Sequence, residues 1–117
     1  MKPCLPVICL SLLFCASHAV ARQAVADDRQ ASERCLHEVK TRYQHNPEVT
    51  ALLKGAQVKD FTLERYDEKV GSQPVASEIV ATLARGDRAV GQILCLTHDE
   101  TILYTHFFSA NAQQGVR

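Results

Sequence analysis

Histidine next to two carboxylates, at His98-Asp99-Glu100, is the grouping in this sequence that comes nearest to a metal site. Imidazole and carboxylate groups both bind zinc, but a site needs several ligands that converge on one point. Consecutive residues of a turn do not converge in this way, and the other histidines of the domain are distant in the chain: His37, His45 and His106. We therefore expect exposed turn residues here, and neither a bound metal nor a cofactor.

Acid–base catalysis needs two groups that face one another, and the sequence offers adjacent carboxylates instead. Asp67-Glu68 and Asp99-Glu100 lie near predicted strand ends, and neighbouring residues of a strand point to opposite faces. The chain also lacks a nucleophile–base motif, a glycine-rich phosphate loop and an H-E-x-x-H zinc motif. These observations predict a protein that is not an enzyme.

The N-terminus has the three parts of a secretory signal peptide. Lys2 provides the positive charge, residues 5–16 form an apolar run, and Ala19-Val20-Ala21 gives a small-x-small cleavage site. Cleavage there divides the chain into a leader, residues 1–21, and a single small domain, residues 22–117, whose ends we expect to be frayed. The apolar run has about 12 residues, whereas a membrane-spanning helix needs about 20. We expect an exported protein, periplasmic or secreted, without a stable membrane anchor.

Lipid attachment is an alternative for the same segment, because Leu12-Leu13-Phe14-Cys15 resembles a bacterial lipobox. Such a box has a small residue just before the cysteine, and Phe14 is large. Cleavage after Ala21 is therefore the preferred interpretation.

Removal of the leader takes away Cys4, Cys9 and Cys15 and leaves Cys35 and Cys95. Two cysteines in an exported protein permit one disulfide, and this pair lacks the C-x-x-C spacing of reactive or metal-binding thiols. A bond that closes a loop of about 60 residues stabilises a fold by about 4 kcal/mol on the chain-entropy model. We predict a structural disulfide between Cys35 and Cys95.

The charge balance gives no electrostatic basis for binding nucleic acid. The 117 residues include 13 Lys and Arg against 13 Asp and Glu, and 46% of the chain is hydrophobic. A neutral chain provides no basic footprint, and this hydrophobic content is typical of a folded globular domain.

Two helices are predicted before residue 55. Asp27 and Asp28 begin the first, and Asn46-Pro47 ends it. Asn46 then caps a second helix at about residues 47–54, and Gly55 follows its end. The apolar side of the first helix consists of Ala31, Cys35, Leu36, Val39 and Tyr43, and that of the second consists of Val49, Leu52 and Leu53.

After Gly55 the apolar period changes to two, which predicts four strands, the first of them ending near Tyr66. The turns between them fall at Gly71-Ser72-Gln73-Pro74, at Gly86-Asp87 and at His98-Asp99-Glu100. Strands joined by short turns form an antiparallel meander, and the helices must cover one of its faces. The predicted fold class is α+β, with one or two N-terminal helices packed on a four-stranded antiparallel sheet.

The predicted disulfide determines which face of the sheet the helices cover. Cys95 must point toward the first helix, so Ile93 points inward with it, and the residues that alternate with them point away: Gln92, Leu94 and Leu96. The fourth strand is also apolar on both sides, with one face assigned to Ile102, Tyr104 and Phe108 and the other to Leu103 and Phe107. In a sheet with one face in water, apolar and polar residues alternate more regularly along each strand than they do here. We therefore expect that either the C-terminal tail or a partner covers the outward face.

Two short motifs are typical of binding proteins. Arg85-Gly86-Asp87 is the tripeptide of integrin ligands, but Gly-Asp at a hairpin tip is also ordinary turn chemistry, and we interpret it as a turn. The segment Gln73-Pro74-Val75-Ala76-Ser77 resembles the Q-x-V-x-G hairpin of cystatins, protease inhibitors that wrap a sheet around a helix. Ser77 stands where that family has glycine, and the family's Pro-Trp hairpin is absent because the chain has no Trp. Cystatin-like inhibition remains an alternative function.

Together these patterns favour a small exported binding protein of the cell envelope, comparable to an inhibitor or an immunity protein, that acts without catalysis. It would dock a protein partner, or associate with itself, through the face that contains Gln92, Leu94 and Leu96, or dock a partner along the hairpin edge. A ligand carrier or an enzyme with a pocket between helices and sheet is the alternative. A concave pocket with convergent polar groups favours that alternative, and a flat apolar patch favours docking.

Overall fold

The computed structural model describes the backbone of residue 3, residues 16–70 and residues 72–113, with side chains for residues 3, 26–65, 72 and 74–111. The elements are α1 (Ala16–Arg42), α2 (Pro47–Leu53), β1 (Gln57–Val70), β2 (Gln73–Arg85), β3 (Arg88–His98), β4 (Thr101–Ser109) and α3 (Ala110–Gln113). The strands form one open antiparallel sheet in the order β1-β2-β3-β4, so the predicted α+β meander is confirmed. Helix α3 falls in the segment that was predicted to be frayed.

Helix α1 is longer than predicted, because it begins at Ala16 rather than near Asp27. The added segment is rich in alanine, the residue with the highest helix propensity, so the helix extends beyond its packed part. Its packed side includes Cys35, Leu36 and Val39, which are at most 8% exposed. The predicted cleavage after residue 21 falls within this helix and would retain that packed side. The lipobox segment, residues 12–15, lies outside the described residues.

Helix α2 begins and ends next to the predicted residues, Asn46-Pro47 at its start and Gly55 after its end. The side-chain oxygen of Asn46 accepts hydrogen bonds from two backbone N–H groups of the first turn, both at 3.1 Å, and Pro47 occupies the first helical position. Gly55 follows the helix with φ of 71°, a conformation that glycine adopts without steric strain. Leu53 is buried as predicted, but Leu52 is 37% exposed, because a helix of about two turns presents only one side to the core.

A disulfide joins the middle of α1 to the middle of the sheet. The Cα atoms of Cys35 and Cys95 are 6.0 Å apart, and both residues are fully buried. The predicted bond is therefore confirmed, and Ile93 is fully buried on the same face of β3. A buried disulfide indicates that the chain folds in an oxidising compartment, as exported proteins do.

Successive residues of β2 alternate between the inner face of the sheet and the opposite face, as predicted. Val75, Ile79, Ala81 and Leu83 of β2 are each at most 2% exposed. Strand β1, however, runs to Val70 rather than to Tyr66, so the connection to β2 is only two residues long. Within the described part of the chain, no helix has the length and hydropathy needed to cross a membrane.

Strand β4 contains a register shift that changes one predicted assignment. Where β4 pairs with β3, the extra residue Leu103 is inserted between Ile102 and Tyr104. Ile102 therefore packs against the core on the inner side, whereas Tyr104 and Phe108 lie on the opposite face. The prediction that grouped Ile102 with Tyr104 and Phe108 assumed unbroken alternation, and for Ile102 it is wrong.

Candidate functional site

One face of the sheet is turned away from α1, and we call it the outer face. The side chains of this face that are named below are all exposed or half-buried. Its members follow from the pairing of the strands, in which residues directly opposite one another share a face. They include Asp60, Thr62 and Glu64 of β1, Glu78, Val80 and Thr82 of β2, Gln92, Leu94, Leu96 and His98 of β3, and Thr101, Tyr104, His106 and Phe108 of β4.

The residues predicted to bind a partner lie on the central strand β3 of this face. Leu94 is opposite Val80 on one side and His106 on the other, and Leu96 and Gln92 flank it along the strand. All of these side chains are half-buried. Full burial of a leucine gains about 1.5–3 kcal/mol, and the two leucines realise only part of this in the free protein. The outer face thus retains apolar surface at its centre.

Strand β4 adds a row of aromatic rings to the outer face. Tyr104 and Phe108 are 47% and 42% exposed. The ring of His106 lies between them, with ring centroids 6.4 Å from Tyr104 and 4.4 Å from Phe108. Aromatic side chains are enriched in protein–protein interfaces. His106 was not among the residues predicted to bind a partner, although its alternation with Tyr104 and Phe108 indicated that it belongs to this row.

The free edge of β4 is partly closed by the end of α1. The guanidinium of Arg42 donates a hydrogen bond to the backbone carbonyl of Ile102 at 3.1 Å. The hydroxyl of Tyr43 accepts one from the backbone N–H of Phe107 at 3.4 Å. An edge strand offers such groups to a further strand, and here side chains already bind two of them. Docking is therefore favoured on the outer face rather than along this edge.

The Arg-Gly-Asp motif forms a turn and a helix cap. Gly86 and Asp87 are the two residues between β2 and β3, and Gly86 has φ of 59°. The guanidinium of Arg85 donates hydrogen bonds to the carbonyls of Leu52 and Lys54, both at 2.8 Å, at the end of α2. This arginine is directed toward the protein's own helix, so the motif is not presented as an integrin ligand requires.

A concave site, the alternative to the outer face, lies between the middle of α1 and the sheet. This cavity has a volume of about 200 Å³, below the 300–1,000 Å³ that is typical of ligand pockets. At its rim the guanidinium of Arg65 contacts the carboxylate of Asp28. A larger groove of about 500 Å³ beside α1 includes Glu38, whose carboxylate lies 2.8 Å from the guanidinium of Arg42. These charged groups bind one another, so the outer face is the stronger candidate site.

The predicted turn at His98-Asp99-Glu100 brings few side chains together that could bind a metal ion. The Nδ1 atom of His98 lies 3.6 Å from a carboxylate oxygen of Asp99. In the portion of the chain that the structure covers, no cluster of three or more His, Cys, Asp or Glu side chains is placed to hold a metal. The side chains of Asp67-Glu68 lie outside the described residues.

The segment that resembles cystatins belongs to β2. Helix α1 packs on a four-stranded sheet, an arrangement that agrees with the resemblance. Val75, however, is 2% exposed and points into the core, so it is not available to contact a protease. The side chain of Gln73 lies outside the described residues.

Comparison of the chain with models of protein families, with curated proteins and with solved structures gives no significant match.

Proposed function

We propose that this chain is a small exported protein of the cell envelope that binds a protein partner through its outer face and catalyses no reaction. The observation that carries the proposal is the half-buried pair Leu94 and Leu96 beside the exposed rings of Tyr104 and Phe108. An apolar centre with a polar rim is the composition of a protein–protein interface. A contiguous exposed apolar patch on a small domain marks an interaction site.

Two features support the exported location in the proposal. The N-terminal sequence has the pattern of a cleaved leader, with Ala19-Val20-Ala21 at the cleavage site. The disulfide between Cys35 and Cys95 is fully buried, and such bonds persist in oxidising compartments such as the periplasm and the extracellular medium. The proposed location is therefore periplasmic or secreted.

Leu94→Asp is expected to abolish partner binding while the domain stays folded. Leu94 points away from the core around Ile93 and is half-buried, so the new carboxylate stays in contact with water in the free protein. Binding would remove that carboxylate from water without a counter-charge, which costs several kcal/mol. Circular dichroism reports the fold, and retention of envelope proteins on the immobilised, oxidised chain reports the binding.

Leu52→Asp is the matched control, since Leu52 is 37% exposed on α2, away from the outer face. This variant undergoes the same chemical change and should retain the same proteins as the wild type. The docking proposal is wrong if Leu94→Asp retains those proteins too. It is also wrong if Leu94→Asp unfolds while Leu52→Asp stays folded, because Leu94 would then be part of a covered core.

A further inference from the structure

The positive and negative side chains of the chain are equal in number, 13 of each, but the structure separates many of them in space. Strand β3 spans about 33 Å from Arg88 to His98. At its His98 end, the cavity between α1 and the sheet is lined by four carboxylates and two guanidinium groups: Asp27, Asp28, Asp99 and Glu100, with Arg34 and Arg65. Salt screens charges beyond about 8–10 Å, so each end of β3 acts on a partner with its own local charge.

The Arg88 end of β3 has an excess of positive charge. Two depressions lie there against the last turn of α2. One, of about 310 Å³, contains Lys40 and Lys54, and the other, of about 300 Å³, contains Arg85 and Arg88. All four side chains are exposed, and no described residue that lines either depression is Asp or Glu. We call the region around these four cations the basic end.

The charged side chains that border the basic end do not cancel its charge. Lys59 and Asp60 are neighbours on β1 and both are exposed, so they balance each other. Asp87 lies in the hairpin turn, and Glu48 lies in the first turn of α2. Four cations against these two carboxylates leave an excess of positive charge.

Part of this charge is used within the domain. The guanidinium of Arg85 donates hydrogen bonds to two carbonyls at the end of α2, both at 2.8 Å, and so offsets the negative end of the helix dipole. The ammonium of Lys40 donates a hydrogen bond to the carbonyl of Ala56 at 3.4 Å. The side chains of Lys54 and Arg88 take part in neither contact, and they are the cations most accessible to a partner.

An exposed leucine lies in the same region. Leu52 is 37% exposed, and it lines the second depression together with Arg85 and Arg88. An apolar side chain among several cations is the combination that binds anionic membranes. The apolar group enters the boundary between headgroups and acyl chains, while the cations are attracted to the lipid phosphates.

We infer that the basic end binds peripherally to membranes that contain anionic phospholipids. The inference uses the proposed exported location, where the domain meets the membranes of the cell envelope, and it does not depend on the protein partner of the outer face. The carboxylates at the far end of β3 are repelled by the same membrane. The separation of charge therefore also orients the domain, with its basic end toward the lipid.

Sedimentation with lipid vesicles tests the inference. The oxidised protein, purified as cells export it, is mixed with vesicles of phosphatidylcholine alone or of phosphatidylcholine and phosphatidylglycerol in equal parts. It should bind the anionic vesicles at least about tenfold more tightly than the neutral ones, and added salt should remove the preference. Equal binding to both kinds of vesicle, or binding to neither, overturns the inference.

The double variant Lys54→Gln, Arg88→Gln should bind the anionic vesicles about tenfold more weakly than the wild type. The control variant Arg34→Gln, Arg65→Gln removes the same charge from the far end of β3 and should bind them like the wild type. Circular dichroism verifies that both variants are folded. Equal weakening in the two variants contradicts the inference, because the attraction would then reflect net charge alone.

Leu94→Asp separates membrane binding from the proposed docking function. This variant should bind anionic vesicles as the wild type does, even where it no longer retains the protein partner. If Leu94→Asp loses the vesicles as well, the outer face contacts the lipid and the basic end does not, so the inference is wrong.

Competition with soluble anions distinguishes a membrane from other sources of phosphate. Inorganic phosphate and a DNA duplex, each at the phosphate concentration of the vesicles, should displace little of the bound protein, because neither offers an apolar layer to Leu52. Complete displacement by inorganic phosphate would identify a site for a single anion, and complete displacement by DNA would identify a nucleic-acid surface. Either result overturns the inference.

Discussion

Loss of the disulfide between Cys35 and Cys95 is expected to lower the free energy of unfolding by about 2–5 kcal/mol. The bond closes a loop across 60 positions of sequence and ties α1 to the centre of the sheet, where both cysteines are fully buried. In a domain of this size the loss corresponds to a melting temperature lower by about 10 °C or more. Thermal melting followed by circular dichroism, with reduction verified by thiol labelling, measures the effect.

Cys35→Ala provides the control for this measurement. The variant should melt near the temperature of the reduced wild type, and added reductant should not change it further. Equal melting temperatures for the oxidised and the reduced wild type would contradict the stabilising role of the bond.

Gly91→Ala is expected to destabilise the domain by about 2–4 kcal/mol. Gly91 has φ of 152°, and a Cβ atom there would overlap the carbonyl oxygen of Phe108 and lie 3.0 Å from the ring of Phe107. The obstacle is backbone of the paired strand β4, so the pairing of β3 with β4 must shift to make room. The urea concentration at the unfolding midpoint reports the loss.

Gly86→Ala is the matched substitution for Gly91→Ala. Gly86 has φ of 59°, but no atom lies within 4 Å of the added Cβ. Gly86→Ala should therefore lower the free energy of unfolding only through backbone strain, by about 1–2 kcal/mol. If Gly91→Ala is no more destabilising than Gly86→Ala, the result contradicts the close contact between β3 and β4 at Gly91.

Much of the fold was predictable because its signals lie within short stretches of sequence. Asn46 and Pro47 mark the start of α2 through capping and through the fixed φ of proline, although α1 already ends at Arg42. Gly86-Asp87 marks a two-residue hairpin. The disulfide between Cys35 and Cys95 then orients the sheet, and the unbroken alternation of β3 from Gly91 to His98 places Leu94 and Leu96 on the outer face.

The features that were missed depend on contacts between distant parts of the chain. The extra residue Leu103 in β4 is set by its pairing with β3, and local alternation does not reveal it. Arg85 caps the end of α2 from a position 31 residues away in the sequence from Lys54. The length of α1 was also missed, because the alanine-rich segment before its acidic residues was assigned to the leader and to a frayed end of the domain.

Hydroxyl-radical footprinting of Tyr104 and Phe108 tests the docking function most directly. These side chains are 47% and 42% exposed in the free protein, and Leu52, at 37%, is an internal reference away from the outer face. In complex with a protein that the wild-type chain retains, oxidation of Tyr104 and Phe108 should fall strongly while that of Leu52 stays unchanged. Unchanged oxidation of Tyr104 and Phe108 in the complex would contradict the proposal that the outer face is the binding site.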